Sequence, residues 1–194
     1  STEMTVTWLT KYSLTASDIE LLPYSENPEF TGKPTVDSRV DASSETVQRS
    51  YPGADLGIFS LLPYTIDYTQ HTVKLSGLEP GTKYCYRVGD AEKGWWSEAG
   101  VLETAGGNAD DAFTFFYVTD PQAQRKDQFE RFAEVIETAR EAHPEGKFIV
   151  SAGDQVDAGE HVKHWSYLLN STTALLDLPL MPTSGNHEDA QAAI

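Results

Sequence analysis

Leu180-Met181-Pro182-Thr183-Ser184-Gly185-Asn186-His187-Glu188-Asp189 is an apolar run that ends in Gly-Asn-His-Glu. An amide oxygen, an imidazole and a carboxylate in consecutive positions can ligate a metal or move a proton, but they fill only part of a coordination shell. The same design occurs twice upstream. Phe148-Ile149-Val150-Ser151-Ala152-Gly153-Asp154-Gln155-Val156-Asp157 delivers Gly-Asp into a loop, and Phe115-Phe116-Tyr117-Val118-Thr119-Asp120-Pro121-Gln122 delivers Asp120. Each apolar run therefore presents an oxygen donor at its end. Carboxylate and amide oxygens suit hard or borderline divalent and trivalent ions, and a carboxylate can bridge two of them. Two ions roughly 3.5 to 4 Å apart activate water and clamp the attacking and leaving oxygens of an in-line displacement at phosphorus.

These donors meet only if the intervening elements bring the strand ends together. Between the Phe115 and Phe148 runs, the stretch from Gln124 to His143 places Phe129, Phe132, Ala133, Ile136 and Ala139 on one helical face. A second helical stretch, with Trp165, Leu168, Leu169, Leu175 and Leu176, leads to the Leu180 run. The resulting β-α-β-α-β order predicts parallel strands with right-handed crossovers. Loops at the carboxyl ends of neighbouring parallel strands converge, so Asp120, Asp154 and Asn186 are expected to approach one another. Gly153 and Gly185 are expected to let the backbone turn tightly into the site.

From Met4 to Thr104 the pattern is different, with short alternating runs of Val, Thr, Tyr and Trp between Pro, Gly, Asn and Asp punctuation. His71 to Val88 reads as a strand, a Leu-Glu-Pro-Gly-Thr corner and a second strand with Tyr84, Tyr86 and Val88 inward, and Tyr84 is placed like a tyrosine corner. Trp95 to Thr104 is expected to be the last strand. Ala105-Gly106-Gly107-Asn108-Ala109-Asp110-Asp111 has linker composition. The chain opens on Ser1-Thr2-Glu3-Met4 directly before a strand-like run, which is expected when a sequence begins inside a domain.

Taken in order, the motifs resemble the calcineurin-like metallophosphoesterases, and among them the purple acid phosphatase-like branch. The strand-rich part is similar to the fibronectin III-like domain that precedes purple acid phosphatase catalytic domains. The resemblance implies a multidomain chain: an all-β fibronectin III-like sandwich at 1–104, a linker at 105–111, and at 112–194 the N-terminal half of a metallophosphoesterase domain, part of a four-layer α/β/β/α fold. It implies hydrolysis of a phosphomonoester or phosphodiester through two divalent or trivalent metal ions, with Fe, Mn, Zn and Mg equally compatible. Asp120 would bind the first ion, Asp154 both and Asn186 the second. His187 would donate a proton or hydrogen bond to the leaving or phosphoryl oxygen, and Glu188 would orient it. Two positions depart from the pattern. Gln122 stands where the superfamily has His or the purple enzymes have Gly, and Asp157 stands where the purple enzymes have the Tyr whose phenolate gives their colour. The family completes its site with a downstream His and a Gly-His-x-His motif absent from these residues, so this chain alone is expected to be inactive. The same resemblance implies a secreted or envelope-associated protein.

The rest of the composition narrows the alternatives. Thirty Asp and Glu against fourteen Lys and Arg give a net charge of -16, which disfavours nucleic acid and anionic membrane as partners. No apolar segment reaches the roughly 20 residues needed to span a bilayer. The single cysteine, Cys85, lies in a strand pattern and reads as a half-buried thiol. His161 and His164 could suggest a metal pair, yet a solvated helix face explains them more simply. Trp95-Trp96 reads as strand packing, and His71 and His143 as surface residues. A half-domain without its second sheet is expected to expose apolar side chains near Phe116, Val118, Ile149 and Met181 and to self-associate. A non-catalytic interaction module built on the sandwich is the alternative.

Overall fold

The computed structural model describes residues 2–11, 14, 16–35, 39–51, 64–106, 108, 110, 112–159 and 161–188, without the side chains of residues 11, 39–51 and 64–67. By its contacts the chain divides into two compact units, Ser1–Gln48 with Asp67–Asp111, and Arg49–Ile66 with Ala112–Ile194.

The first unit is built from strands. β1 (Met4–Lys11) pairs antiparallel with β4 (Tyr64–Leu75), which also pairs β3 (Arg39–Tyr51). β5 (Lys83–Asp90) lies between β2 (Asp18–Pro23) on one side and β6 (Trp95–Trp96) and β7 (Gly100–Glu103) on the other, antiparallel to all three. The expected last strand is thus two short pieces on one partner. Alternation supplies the core: Val73 and Leu75 from one sheet meet Ile19, Leu21, Val88 and Leu102 from the other, with Val6, Trp8, Tyr84 and Tyr86 packed around them. Each such aliphatic residue contributes about 1.5 to 3 kcal/mol on full burial. Tyr84 makes the expected corner, its hydroxyl accepting the Glu79 N–H at 2.9 Å.

Glu20 and His71 are among the polar side chains sealed into this unit. Glu20, 1% exposed, takes both Arg87 Nε and Nη2, the backbone N–H groups of Thr31 and Gly32, and the Thr31 hydroxyl. Arg87 is held in turn between the rings of Phe30 and Trp96. His71 is not the surface residue its sequence context predicts: it is 0% exposed, stacked on Trp8 and bonded to the Thr10 and Ser17 hydroxyls. Since Thr10 gives its proton to the Leu14 carbonyl, His71 Nε2 donates to Thr10 and Nδ1 accepts from Ser17. Cys85 is fully rather than half buried, with Sγ donating to the Ser25 carbonyl.

The second unit carries the expected parallel sheet, in order β10 (Leu180–Pro182), β9 (Gly146–Ser151), β8 (Thr114–Val118). α1 (Lys126–Ala142) connects β8 to β9 and buries Phe129, Ala133 and Ile136. Gln128 closes its first turn by accepting the Arg125 N–H. The second helical stretch is broken into α2 (Val162–Leu169) and α3 (Ala174–Asp177). The cause is local. Asn170 and Ser171 side chains donate to the Ser166 and Leu168 carbonyls, and Thr172 Oγ1 accepts the Ala174 N–H, so side chains take the place of helix backbone partners.

Phe116 and Ile149, expected to face water, are instead buried with Ile136, Ala174 and Leu178. Period-two alternation places their neighbours on the opposite face of the sheet. There Phe115, Tyr117 and Met181 are exposed, Tyr117 by 67%, and the rings of Phe113, Phe115 and Phe148 gather beside one another. Among the described residues no helix is long and apolar enough to cross a membrane.

Candidate functional site

Beyond the carboxyl ends of β8 and β9 the backbone becomes unusual. Asp120, Gln122 and Asp154 have φ of 51°, 34° and 50°, a region L-residues with side chains seldom occupy. Each costs about 1 to 3 kcal/mol and persists only where the surroundings over-determine it. Here the two loops are laced together. Asp120 N–H donates to the Gly153 carbonyl at 3.2 Å and Gln122 N–H to the Asp154 carbonyl at 2.9 Å, and Ala123 bridges Val156 in parallel. Gly153, at φ 104°, provides the turn predicted for it.

Gly185 is needed for space instead. A Cβ there would lie 2.1 Å from Asp154 Oδ1, and one on Gly153 would lie 2.9 Å from Gly185 Cα, so the β10 loop rests on the β9 loop backbone to backbone. Gln155, which sequence reasoning passed over, ties the same two strands: buried, it donates from Nε2 to the Thr183 carbonyl at 2.8 Å and to Ser151 Oγ. Its only signal was its place directly after Gly-Asp.

Asp154, His187, Gln122, Asp157 and Glu188 are all brought together. Asp154 Oδ1 accepts the His187 backbone N–H at 3.0 Å. His187 Nδ1 lies 2.5 Å from the Asp157 carbonyl, which can only accept, so Nδ1 carries a proton. Nε2 then faces Gln122 Nε2 at 2.6 Å and accepts from it in the neutral ring. The Asp157 carbonyl holds the His187 pKa above the ordinary imidazole value; partial burial opposes this, and the charges of Asp154, Asp157 and Glu188 add to it. Asp157 is itself fixed by Gln124, whose amide donates to Oδ2 at 2.8 Å, a second partner that sequence reasoning missed.

Glu188 does not orient the imidazole. Its carboxylate takes three backbone N–H groups, those of Asp154 and Gly185 at 2.8 Å and of Val156 at 3.2 Å. His187 takes its orientation from Asp157 and Gln122. His161 and His164 stand outside this network, with ring centroids 4.9 Å apart at the start of α2.

Asp120 and Asn186 are exposed at the rim, and an Asp120 oxygen accepts the Thr119 hydroxyl. Among the described residues no three His, Cys, Asp or Glu side chains already converge as a metal shell. The donor chemistry nonetheless fits a hard or borderline cation: two carboxylates and one amide, all oxygen, at adjoining strand ends, with both carboxylates on strained backbone. Asp120, Asp154 and Asn186 are the residues that could hold such an ion, with His187 a polar neighbour.

Comparison with known proteins bears on the family and the fold. Residues 1–104 match the family model of the purple acid phosphatase N-terminal domain, and residues 113–193 that of the calcineurin-like phosphoesterases. A purple acid phosphatase isolated from yellow lupin (Lupinus luteus) seeds has the same fold, with a TM-score of 0.64 at 18% identity. The match covers 96% of this chain and 33% of that one, so the chain spans about a third of that structure's length. None of the curated proteins compared with the chain matches it. With one family's N-terminal domain over its first half and the other's fold over its second, the chain belongs to the purple acid phosphatase-like branch of the calcineurin-like phosphoesterases.

Proposed function

We propose that the protein is a metal-dependent hydrolase of phosphate esters, acid phosphatase- or phosphodiesterase-like, acting through a dinuclear centre to which Asp120, Asp154 and Asn186 contribute. The observation that carries this reading is the lacing of two strand ends whose Asp120 and Asp154 both sit in left-handed backbone, with the β10 loop resting on the loop after β9. Strain of this kind clusters at ligand sites. Ions bound there supply charge neutralisation of the phosphoryl group and activation of water. His187, protonated on both ring nitrogens, would donate from Nε2 to the leaving or phosphoryl oxygen in place of its bond to Gln122, while Nδ1 keeps its bond to the Asp157 carbonyl and holds the ring in place.

Three ligands cannot close two coordination shells, so the 194 residues alone should bind metal weakly and fall far below the roughly 1 to 1000 turnovers per second of an ordinary enzyme. The test is metal analysis and aryl phosphate hydrolysis with manganese, zinc and iron, on this chain and on the protein at its full natural length. Full-length protein that holds no metal and hydrolyses no phosphate ester would overturn the reading. With Asp157 where the purple enzymes have Tyr, iron-loaded protein should lack the visible phenolate-to-iron band, and a purple sample would refute that assignment. We also propose, on family grounds, a fibronectin III-like role for the sandwich and a secreted or envelope location, which cell fractionation tests.

A further inference from the structure

We infer that Glu188 is a positioning residue, a bracket that sets Asp154 for its ligand by holding the loops after β9 and β10 in one fixed relation. The inference rests on the metal reading above and assigns a task to a side chain outside the ligand set. Its Oε2 accepts N–H from Asp154 and from Gly185, one on each loop, and its Oε1 accepts N–H from Val156. The first of these donors belongs to the residue at φ 50°, so the carboxylate bonds directly to the strained peptide that aims the Asp154 side chain. The bracket is braced behind. A Cβ on Gly159 would lie 2.6 Å from Glu188 Cα, and Gly159 N–H donates to the His187 carbonyl at 3.0 Å, so the backbone carrying Glu188 packs against the β9 loop.

The chemistry requires this side chain. Only an ionised carboxylate accepts on both oxygens; a glutamine would turn an NH2 group toward at least one N–H, donor against donor. An aspartate, one methylene shorter, cannot reach all three donors from the same backbone. Groups that hold a metal-binding carboxylate in place typically govern metal affinity by about 10- to 100-fold.

The experiment compares wild type, E188Q and E188D in the protein at its full length, at a temperature where circular dichroism shows each folded. Manganese affinity is measured by calorimetry, and amide hydrogen exchange is followed in the metal-free protein at Asp154, Val156 and Gly185. Expected are a 10- to 100-fold weaker manganese affinity in E188Q and exchange accelerated at those three amides beyond the rest of the sheet. R140A, which removes the Arg140–Asp177 pair away from the site, should lower stability without moving either readout. If E188Q does not fold, E188D carries both measurements with the same expectation. Wild type that binds manganese together with a folded variant that retains its affinity within twofold overturns the bracket alone. Wild type that binds no metal overturns the metal reading, and this inference falls with it.

Discussion

At the scale of single residues, the roles proposed for Asp154 and Gln122 call for different outcomes on substitution. Asp154→Asn in the full-length protein should lose bound metal and at least about 100-fold in turnover, because one carboxylate oxygen is exchanged for an NH2 that cannot ligate. Gln122→Ala should keep its metal and lose about 10-fold in kcat, since the Gln122 side chain bonds His187. Metal content measured beside kcat separates the two, and equal metal loss would show Gln122 to be a ligand. Gly185→Ala puts a methyl group 2.1 Å from Asp154 Oδ1, so a destabilisation of about 1 to 3 kcal/mol is expected in urea unfolding together with weakened metal binding. The meeting of Asp154 with His187 was legible because an apolar run followed by a short polar motif marks a strand that ends in a loop at the carboxyl edge of the sheet. The partners of Glu188 were not. Two of its three donors come from residues 34 and 32 positions earlier in the chain, and a carboxylate beside a histidine gives no local sign that it binds backbone elsewhere.

At the scale of elements, periodicity identified α1 and the parallel order but overran the second helix, where Asn170 to Thr172 substitute side-chain bonds for backbone ones. It also misread His71, because a lone imidazole in an alternating strand gives no sign of the hydroxyls that come from other strands and loops to meet it. That burial has a pH consequence. Burial pushes the His71 pKa down, so the folded form stays neutral while the unfolded chain takes a proton below its ordinary value of about 6.5. Stability is therefore present above that pH and declines as pH falls through it. Glu20 acts in the same direction at lower pH: burial would raise its pKa, but Arg87 and Thr31 more than offset this and hold it below the usual range. Its contribution is lost as pH falls below about 4.3. Urea unfolding followed from pH 8 to 4 should show the decline in wild type and a flatter profile above pH 5 in H71Q; identical slopes would contradict the His71 assignment.

At the scale of the whole molecule, the second unit presents one covered sheet face and one open one. Phe113, Phe115, Tyr117 and Met181 lie on or beside the open face, and an apolar patch of this kind tends to be covered. We propose that the 194-residue chain self-associates through it. Light scattering should show concentration-dependent growth that Phe115→Glu with Tyr117→Lys reduces, and a monodisperse, cooperatively melting wild-type chain would contradict this.

The placement of the lone cysteine gives the first unit a built-in reporter. Cys85 sits in β5 between Leu22 of β2 and Val101 of β7, with its sulfur bonded to Ser25. A thiol reagent cannot reach it until those strands part. In excess reagent, labelling should therefore follow opening of the sandwich rather than the chemistry of the thiol. The rate should level off as reagent concentration rises, and the plateau gives the opening rate without any engineered probe.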